Sequence, residues 1–281
     1  MKTVSLSVKP GLRAAIQRLA AAPSKGGPLT ERPASTYNAT GRFFLSPAAE
    51  VAMKRSQINA ILADAVAFLA ARQFYLPPFA FWTPATWQQK GPEVREIVDR
   101  ELGWDITDFG LGRYRQKGLT LFTIRNGNPA DLSRGAGKLY AEKVLIVDVD
   151  QVTPLHFHWQ KVEDIINRGG GRLVLQLYPS TPDGGLADTP VTVSTDGVLR
   201  TLPAGGKVVL EPGESITLPT GLYHSFWAEG SRVLVGEVSL VNDDNTDNRF
   251  YEPIGRFPTI EEDEPPLYLL VKDYPRYYRF L

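Results

Sequence analysis

The chain's whole supply of imidazole is three histidines, and their pattern can hold a metal ion. His156 and His158 alternate along the run VTPLHFHW, and on an extended strand alternate residues project from one face, so both rings can converge on one ion. Glu163 follows closely enough for a bent loop to bring its carboxylate to the same point, while His224 must arrive from a distant strand. A single strand histidine is ordinarily a packed or hydrogen-bonded ring; paired in a chain this poor in histidine, the metal reading prevails. Three neutral imidazoles and one carboxylate suit a divalent first-row metal and leave two positions open in octahedral geometry. The chain contains no cysteine, which excludes disulfides, thiolate catalysis, zinc ribbons and iron–sulfur clusters.

The elements that must position these residues are short strands. From Leu119 onward apolar runs alternate with turn signals such as Asn126-Gly127, Asp183-Gly184-Gly185, Asp196-Gly197 and Gly230-Ser231. The pattern predicts strands at 119–125, 139–149, 152–159, 172–178, 190–194, 198–201, 207–210, 215–218, 222–228 and 232–241. No long helices separate them, which indicates an antiparallel all-β sandwich or barrel rather than a parallel sheet. Before the strands, helical spacing of Ile58, Ile61, Leu62, Ala65, Phe68 and Leu69 predicts a helix from Met53 to about Gln73 with Ser56 as its N-cap. Shorter helices are expected after Thr83 and from Pro92 to Leu102, packed outside the β core. The triple glycine 169–171 reads as a tight turn, Glu261–Glu264 as solvated surface, and the aromatic tail from Tyr274 to Phe280 as packing back on the barrel or on a second subunit.

Composition bounds the partners. Among 281 residues, 43% hydrophobic and 22% charged, 31 Lys and Arg balance 31 Asp and Glu, so there is no general basic field to hold nucleic acid or an anionic membrane. The apolar stretch 60–71 is interrupted by Asp64 and falls short of the roughly 18–20 residues that span a bilayer. Residues 1–52 differ from the remainder, with seven basic residues, two acidic ones and 28 Ala, Gly, Pro, Ser or Thr. Such a segment buries too little apolar surface to offset its ordering entropy. It reads as a flexible basic extension ahead of a globular domain at 53–281. Leu12, Ile16 and Leu19 with Arg13 and Arg18 give it one short amphipathic helix, loosely similar to a transit peptide. A start upstream of the true one, with Met53 the next methionine, is the competing explanation.

Around the histidines the sequence resembles the cupin pattern of small jelly-roll barrels. The first motif is similar to His156-x-His158, Glu163 and Gly170, the second to Gly213, Pro219-x-Gly221 and His224. Asp150 stands where a glycine usually opens the first motif, and Ala228 where an asparagine usually closes the second. The stretches MKRSQINAI, LPPFAFW, LGWDIT, GLTLFTIRNG, YAEKVLIV, QVTPLHFHWQKVEDIINRGGG, LEPGESITLPTGLYHSFWAE, GEVSLVNDDNTDNRF and EEDEPP further resemble bacterial D-lyxose isomerases, from Met53 nearly to the C-terminus. That resemblance implies an Mn2+-dependent aldose–ketose isomerase, usually a homodimer. It would interconvert D-lyxose with D-xylulose, and often D-mannose with D-fructose. The cytoplasm is its expected location, and another first-row metal its alternative cofactor.

An aldose–ketose isomerisation needs a second carboxylate to carry a proton between adjacent carbons. Glu237, which interrupts the apolar run RVLVGEVSL, is the candidate base, against the plainer reading of a salt-bridged or rim glutamate. Lys161 is a candidate fixed charge or proton donor, or else an exposed loop lysine. Lys143 in YAEKVLIV can bind substrate hydroxyls if strand parity turns it inward. Asp244, Asp247 and Arg249 in and after NDDNTDN are candidates for the outer hydroxyls, though Asx turns explain that stretch equally well. Phe79, Phe81, Trp82 and Trp227 can supply an apolar wall, or simply be core. Two rivals share the ligand set: another metal cupin enzyme, such as a dioxygenase, and a non-catalytic sugar-sensing cupin. Glu237 and the acid–amide loop favour the sugar isomerase.

Overall fold

The computed structural model describes residues 52–281, so the extension and its amphipathic helix lie outside the described residues apart from Ala52. The strands that carry the fold are antiparallel apart from the parallel pair formed by the first and the last. They are β1 (Met53–Lys54), β2 (Gly103–Thr107), β3 (Leu119–Arg125), β4 (Tyr140–Val147), β5 (Thr153–His158), β6 (Glu163–Pro179) and β7 (Val191–Thr195). There follow β8 (Val198–Leu202), β9 (Lys207–Leu210), β10 (Ser215–Leu218), β11 (Leu222–Leu240), β12 (Asn248–Phe250) and β13 (Ile260–Glu261). β1 pairs with β13, and the other strands join one sheet whose main path is β2-β3-β4-β11-β6-β10-β7-β8. The sheet curls into the expected cupin jelly-roll barrel, with α1 (Arg55–Ala71), α2 (Pro84–Gln88) and α3 (Arg95–Asp99) outside it.

Period-two alternation builds two cores from the same strands. On β4, Leu145 and Val147 face the barrel interior with Leu121, Ile165, Phe226, Val233 and Val235. Val144 and Ile146 face the other way, into a cluster with Trp104, Phe122 and the α1 residues Ile58, Leu62, Ala65 and Leu69. Lys143 shares the parity of Leu145, which directs it into the barrel.

Several elements differ from the sequence expectation. β2 was not expected; every residue of it is buried, so it lacks the alternation that marks a strand with one wet face. The expected 92–102 helix is a 3-10 turn followed by α3, and Gly103 opens β2. The runs 222–228 and 232–241 form one strand, and residues 163–179 form another, so the triple glycine and Gly230-Ser231 are not turns. They mark a shared corner where β6 and β11 bend with a register shift. A Cβ on Gly170, whose φ is +112°, would lie 2.1 Å from the Arg232 carbonyl oxygen, and one on Gly171 2.3 Å from that of Glu229.

The acidic run 261–264 is exposed, as expected, and it also anchors α1. Arg55, wholly buried, donates to both Asp273 oxygens at 2.9 and 2.8 Å and to both Glu262 oxygens at 2.9 and 2.8 Å. Ser56 is not the N-cap; its N–H and hydroxyl donate to Asp263, and Lys54 holds the capping position with its N–H on Gln57 Oε1 at 3.1 Å. Carboxylates at a helix N-terminus also meet the positive end of its dipole. The aromatic tail packs back as expected: Tyr274 and Tyr278 join Trp87, Val94 and Val98. Among the described residues no helix is long and apolar enough to cross a membrane.

Arg55→Met leaves Asp273 buried without its partner, and we predict a loss of about 3–5 kcal/mol in unfolding free energy, measured by denaturant titration at pH 7. Glu262, held below its ordinary carboxyl value of 4.5 first by its Arg55 hydrogen bond, adds stability above that pH. This contribution disappears as its carboxyl protonates in acid, so the difference between parent and variant narrows below pH 4.5.

Candidate active site

Strands β5 and β11 bring the histidines together by direct pairing, His224 opposite His156, with ring centroids 4.2 Å apart. Ligand nitrogens of His156, His158 and His224 all lie within 4.8 Å of one another, and all three residues are buried. His156 Nδ1 lies 2.8 Å from the Pro154 carbonyl oxygen and His224 Nδ1 3.0 Å from that of Leu222. A carbonyl only accepts, so each Nδ1 is the protonated nitrogen and each Nε2 offers its lone pair inward. Burial, reinforced by the neighbouring imidazoles, holds His156 well below the usual imidazole range; burial and then Lys161 lower His158. Neutral rings are what a metal needs.

Glu163, the first residue of β6, completes the group. Its oxygens lie 3.1 Å from His224 Nε2 and 3.5 Å from His158 Nε2. Burial opposes its charge, but the Lys161 ammonium and His158 outweigh burial and keep the carboxyl well below the usual range. His224 Nε2 and His158 Nδ1 are buried without hydrogen-bond partners among the described residues. The His224 Nε2 lone pair faces a Glu163 oxygen at 3.1 Å, and two acceptors so close are costly unless a cation draws them together. The residues therefore fit a divalent first-row ion, with the three imidazoles and Glu163 as its donors.

From Glu163 a line of buried charges of alternating sign runs away from the histidines. Lys161 Nζ is 2.8 Å from Glu163 and 2.8 Å from Glu237; Lys143 Nζ is 3.7 Å from Glu237 and 3.2 Å from Asp244; Arg256 Nη2 is 3.3 Å from Asp244 and 3.1 Å from Asp105. Burial alone would lower Lys161, yet Glu163, Glu237 and Asp244 hold its ammonium above the ordinary lysine range. Burial likewise opposes the charge on Asp244, which Lys143 and Arg256 overcome, keeping its carboxyl well below the usual value. At the far end burial pushes Asp105 up despite Arg256. Asn242 Oδ1 accepts from both lysines, and Asn126 pins the Asn242 backbone.

Strand register explains why these groups meet. Glu237 on β11 pairs with Lys143 on β4, so both side chains share the inner face. His224 and Glu237 occupy an even and an odd position of one strand, which on a regular ribbon would face opposite ways; the irregularity between Glu229 and Val233 resets the parity.

A cavity of about 50 Å³ is lined by His156, His158, Lys161, Glu163, Glu237, Lys143, Asp244, Asn248 and Arg256 with apolar residues including Phe109, Phe226 and Phe250. Other sequence candidates lie elsewhere. Phe81 packs on Tyr268, Phe79 on Phe122, and Trp82 on Trp87. Trp227 lies under Lys207, its indole N–H directed to Glu229, because its neighbour Phe226 takes the inward position. Arg249 pairs with Phe157 while Asn248 and Phe250 pair with His158 and His156, so alternation turns Arg249 away from the cavity. Asp247 acts on backbone, accepting from the N–H groups of Gln160 at 2.7 Å and Lys161 at 3.0 Å. The sequence reading missed Arg256 and Asp105. Arg256 sits in an irregular loop without periodicity, and Asp105 lies in the unrecognised β2.

The model of the D-lyxose isomerase family matches residues 53–274. The chain belongs to that family. Among curated relatives, the D-lyxose/D-mannose isomerase of Serratia proteamaculans is 51% identical over 228 residues, covering 80% of this chain and 99% of the relative. The protein of the same name from Escherichia coli O157:H7 is 49% identical over 228 residues, covering 80% and 100%. Among solved structures, the L-ribose isomerase of Cellulomonas parahominis with L-ribose matches with a TM-score of 0.50 at 17% identity, covering 76% of this chain and 100% of that one. At that identity the likeness concerns the barrel alone. For this member of the D-lyxose isomerase family, we predict one tightly bound Co2+ or Mn2+ per chain by metal titration with visible absorption or paramagnetic resonance. His224→Ala should weaken binding by more than the roughly 10–100-fold typical of losing an outer-shell partner.

Proposed function

We propose that the protein is a metal-dependent aldose–ketose isomerase acting on D-lyxose and D-xylulose, and on D-mannose and D-fructose, through a cis-enediol. The reading is carried by the Glu237–Lys161 pair, 2.8 Å apart, in a cavity also lined by His156, His158 and Glu163, in a chain about half identical to proteins named D-lyxose/D-mannose isomerase. Mn2+ as the ion, a homodimer and a cytoplasmic location enter the proposal from the family resemblance.

When bound, the metal ion supplies a Lewis acid that stabilises negative charge on the adjacent sugar oxygens. Glu237 removes the proton from C2; the C–H electron pair becomes the C1–C2 double bond, the carbonyl pair moves onto O1, and the O2–H proton passes to O1 within the cis-enediolate. Glu237 then returns its proton to C1 on the same face while the pair left on O2 forms the new carbonyl. Lys161 serves as a fixed cation rather than a proton donor, because three carboxylates hold its proton firmly. It steadies Glu237 and offsets charge that develops on the substrate. With the charged side chains drawn together the cavity has room for little more than one or two water molecules.

Metal-stripped protein should be inactive on D-lyxose, and Mn2+ should restore ketose formation. Glu237→Gln should lower kcat by roughly 10²–10⁴-fold while retaining metal binding; undiminished turnover would remove Glu237 from the reaction.

We also propose that residues 1–52 are a dispensable extension. The family match begins at residue 53, and the two relatives are aligned over nearly their whole length without needing more than 80% of this chain. A chain starting at Met53 should keep the parent's melting temperature and kcat, and an insoluble product would refute its dispensability.

A further inference from the structure

Arg256 is held on one nitrogen and open on another. Its Nη2 is shared by Asp105 at 3.1 Å and Asp244 at 3.3 Å, whereas Nη1 is buried and has no hydrogen-bond partner among the described residues. The side chain is only 14% exposed and lines the cavity that His156 and His158 also line. A buried guanidinium N–H left unpaired costs the desolvation of a charged donor unless something else accepts from it.

The protein fixes the direction of this donor carefully. Two carboxylates from different elements, Asp105 on β2 and Asp244 in the loop after β11, grip the same nitrogen. The Arg256 carbonyl oxygen accepts from the Thr107 hydroxyl, and Gly255 lies against the Phe109–Gly110 backbone so closely that a Cβ there would be 3.3 Å from the Phe109 oxygen. Arg256 touches none of the four proposed metal ligands; Asp244, Lys143, Glu237 and Lys161 intervene along the line of charges. A sugar whose first two oxygens are taken at the histidine end presents its later hydroxyls to this far end.

We infer that Arg256 Nη1 donates a hydrogen bond to a substrate hydroxyl beyond C3, making Arg256 a specificity residue and Asp105 and Asp244 the residues that position it. The inference rests on the isomerase reading and names the part of the cavity that recognises the unreacting end of the sugar. A hydroxyl oxygen suits Nη1 because the neighbouring carboxylates already neutralise the guanidinium, so a neutral acceptor completes its hydrogen bonds without adding charge.

The test is a cycle between residue and substrate, using the Mn2+-loaded full chain with D-lyxose and its analogues lacking the 4- or the 5-hydroxyl. Arg256→Lys keeps a cation between Asp105 and Asp244 but removes the second nitrogen. We expect the parent to lose roughly 10–100-fold in kcat/KM on one of the two analogues, and Arg256→Lys to lose a similar factor on D-lyxose with little further loss on that analogue. Losses that multiply independently, or an Arg256→Lys protein as active as the parent on D-lyxose, would overturn the inference. If Arg256→Lys does not fold, the double variant Asp105→Asn with Arg256→Gln, which removes both charges, is read in the same cycle. Absent turnover of D-lyxose by the parent would instead overturn the isomerase reading and this inference together.

Discussion

Burying charge inside a β barrel is costly, and the cost is offset only where each charge meets one of opposite sign and its remaining hydrogen bonds are made. Here the interior contains four carboxylates and three cations, from Glu163 through Lys161, Glu237, Lys143, Asp244 and Arg256 to Asp105, each in contact with its neighbour. A carboxylate ends the line at both sides, Glu163 beside the histidines and Asp105 at the far end. Loop structure follows from the same need. Asp247 fixes the turn that delivers Lys161, and Asn126 fixes the backbone that delivers Asn242 to both lysines.

The arrangement leans most heavily on β11. It pairs with β4, β5 and β6, and it carries both His224 and Glu237. Its bend is shared with β6 at a point where backbone approaches backbone too closely for any side chain, so glycines occupy 170 and 171. The outer face of β4 is occupied by Val144 and Ile146, which α1 covers; Arg55, Glu262 and Asp273 clamp the start of that helix. A helix outside the barrel thus supports a strand whose Lys143 points into the site.

Much of the proposed metal site was legible in advance because strand periodicity is local. His156 and His158 share a face whatever the remainder of the chain does, and a lone acid in the run around Glu237 had to be either partnered or functional. Asp150 shows how a departure from motif can be harmless: it adopts φ +63°, the left-handed conformation for which a glycine is usual and which aspartate tolerates better than most residues. Trp227 and Phe81 lie away from the cavity: an aromatic in a strand carries no local mark of which face is the cavity, and Phe81 ends a 3-10 turn outside the barrel. Asp247, in the bend before β12, is taken up by backbone N–H groups, and Arg249 faces away from the cavity because parity in a short strand after an irregular loop cannot be counted from the preceding strand.

Sequence by itself determined the candidate donor residues, the all-β class and the family, since these depend on residue type, spacing and period. Tertiary structure alone decided that the two long strands bend at their glycines, that the bulge turns Glu237 to the same side as His224, and that Arg256 and Asp105 join the site. Each of those outcomes depends on contacts between segments far apart in the chain, where irregular backbone, rather than any repeating pattern, sets the direction of a side chain.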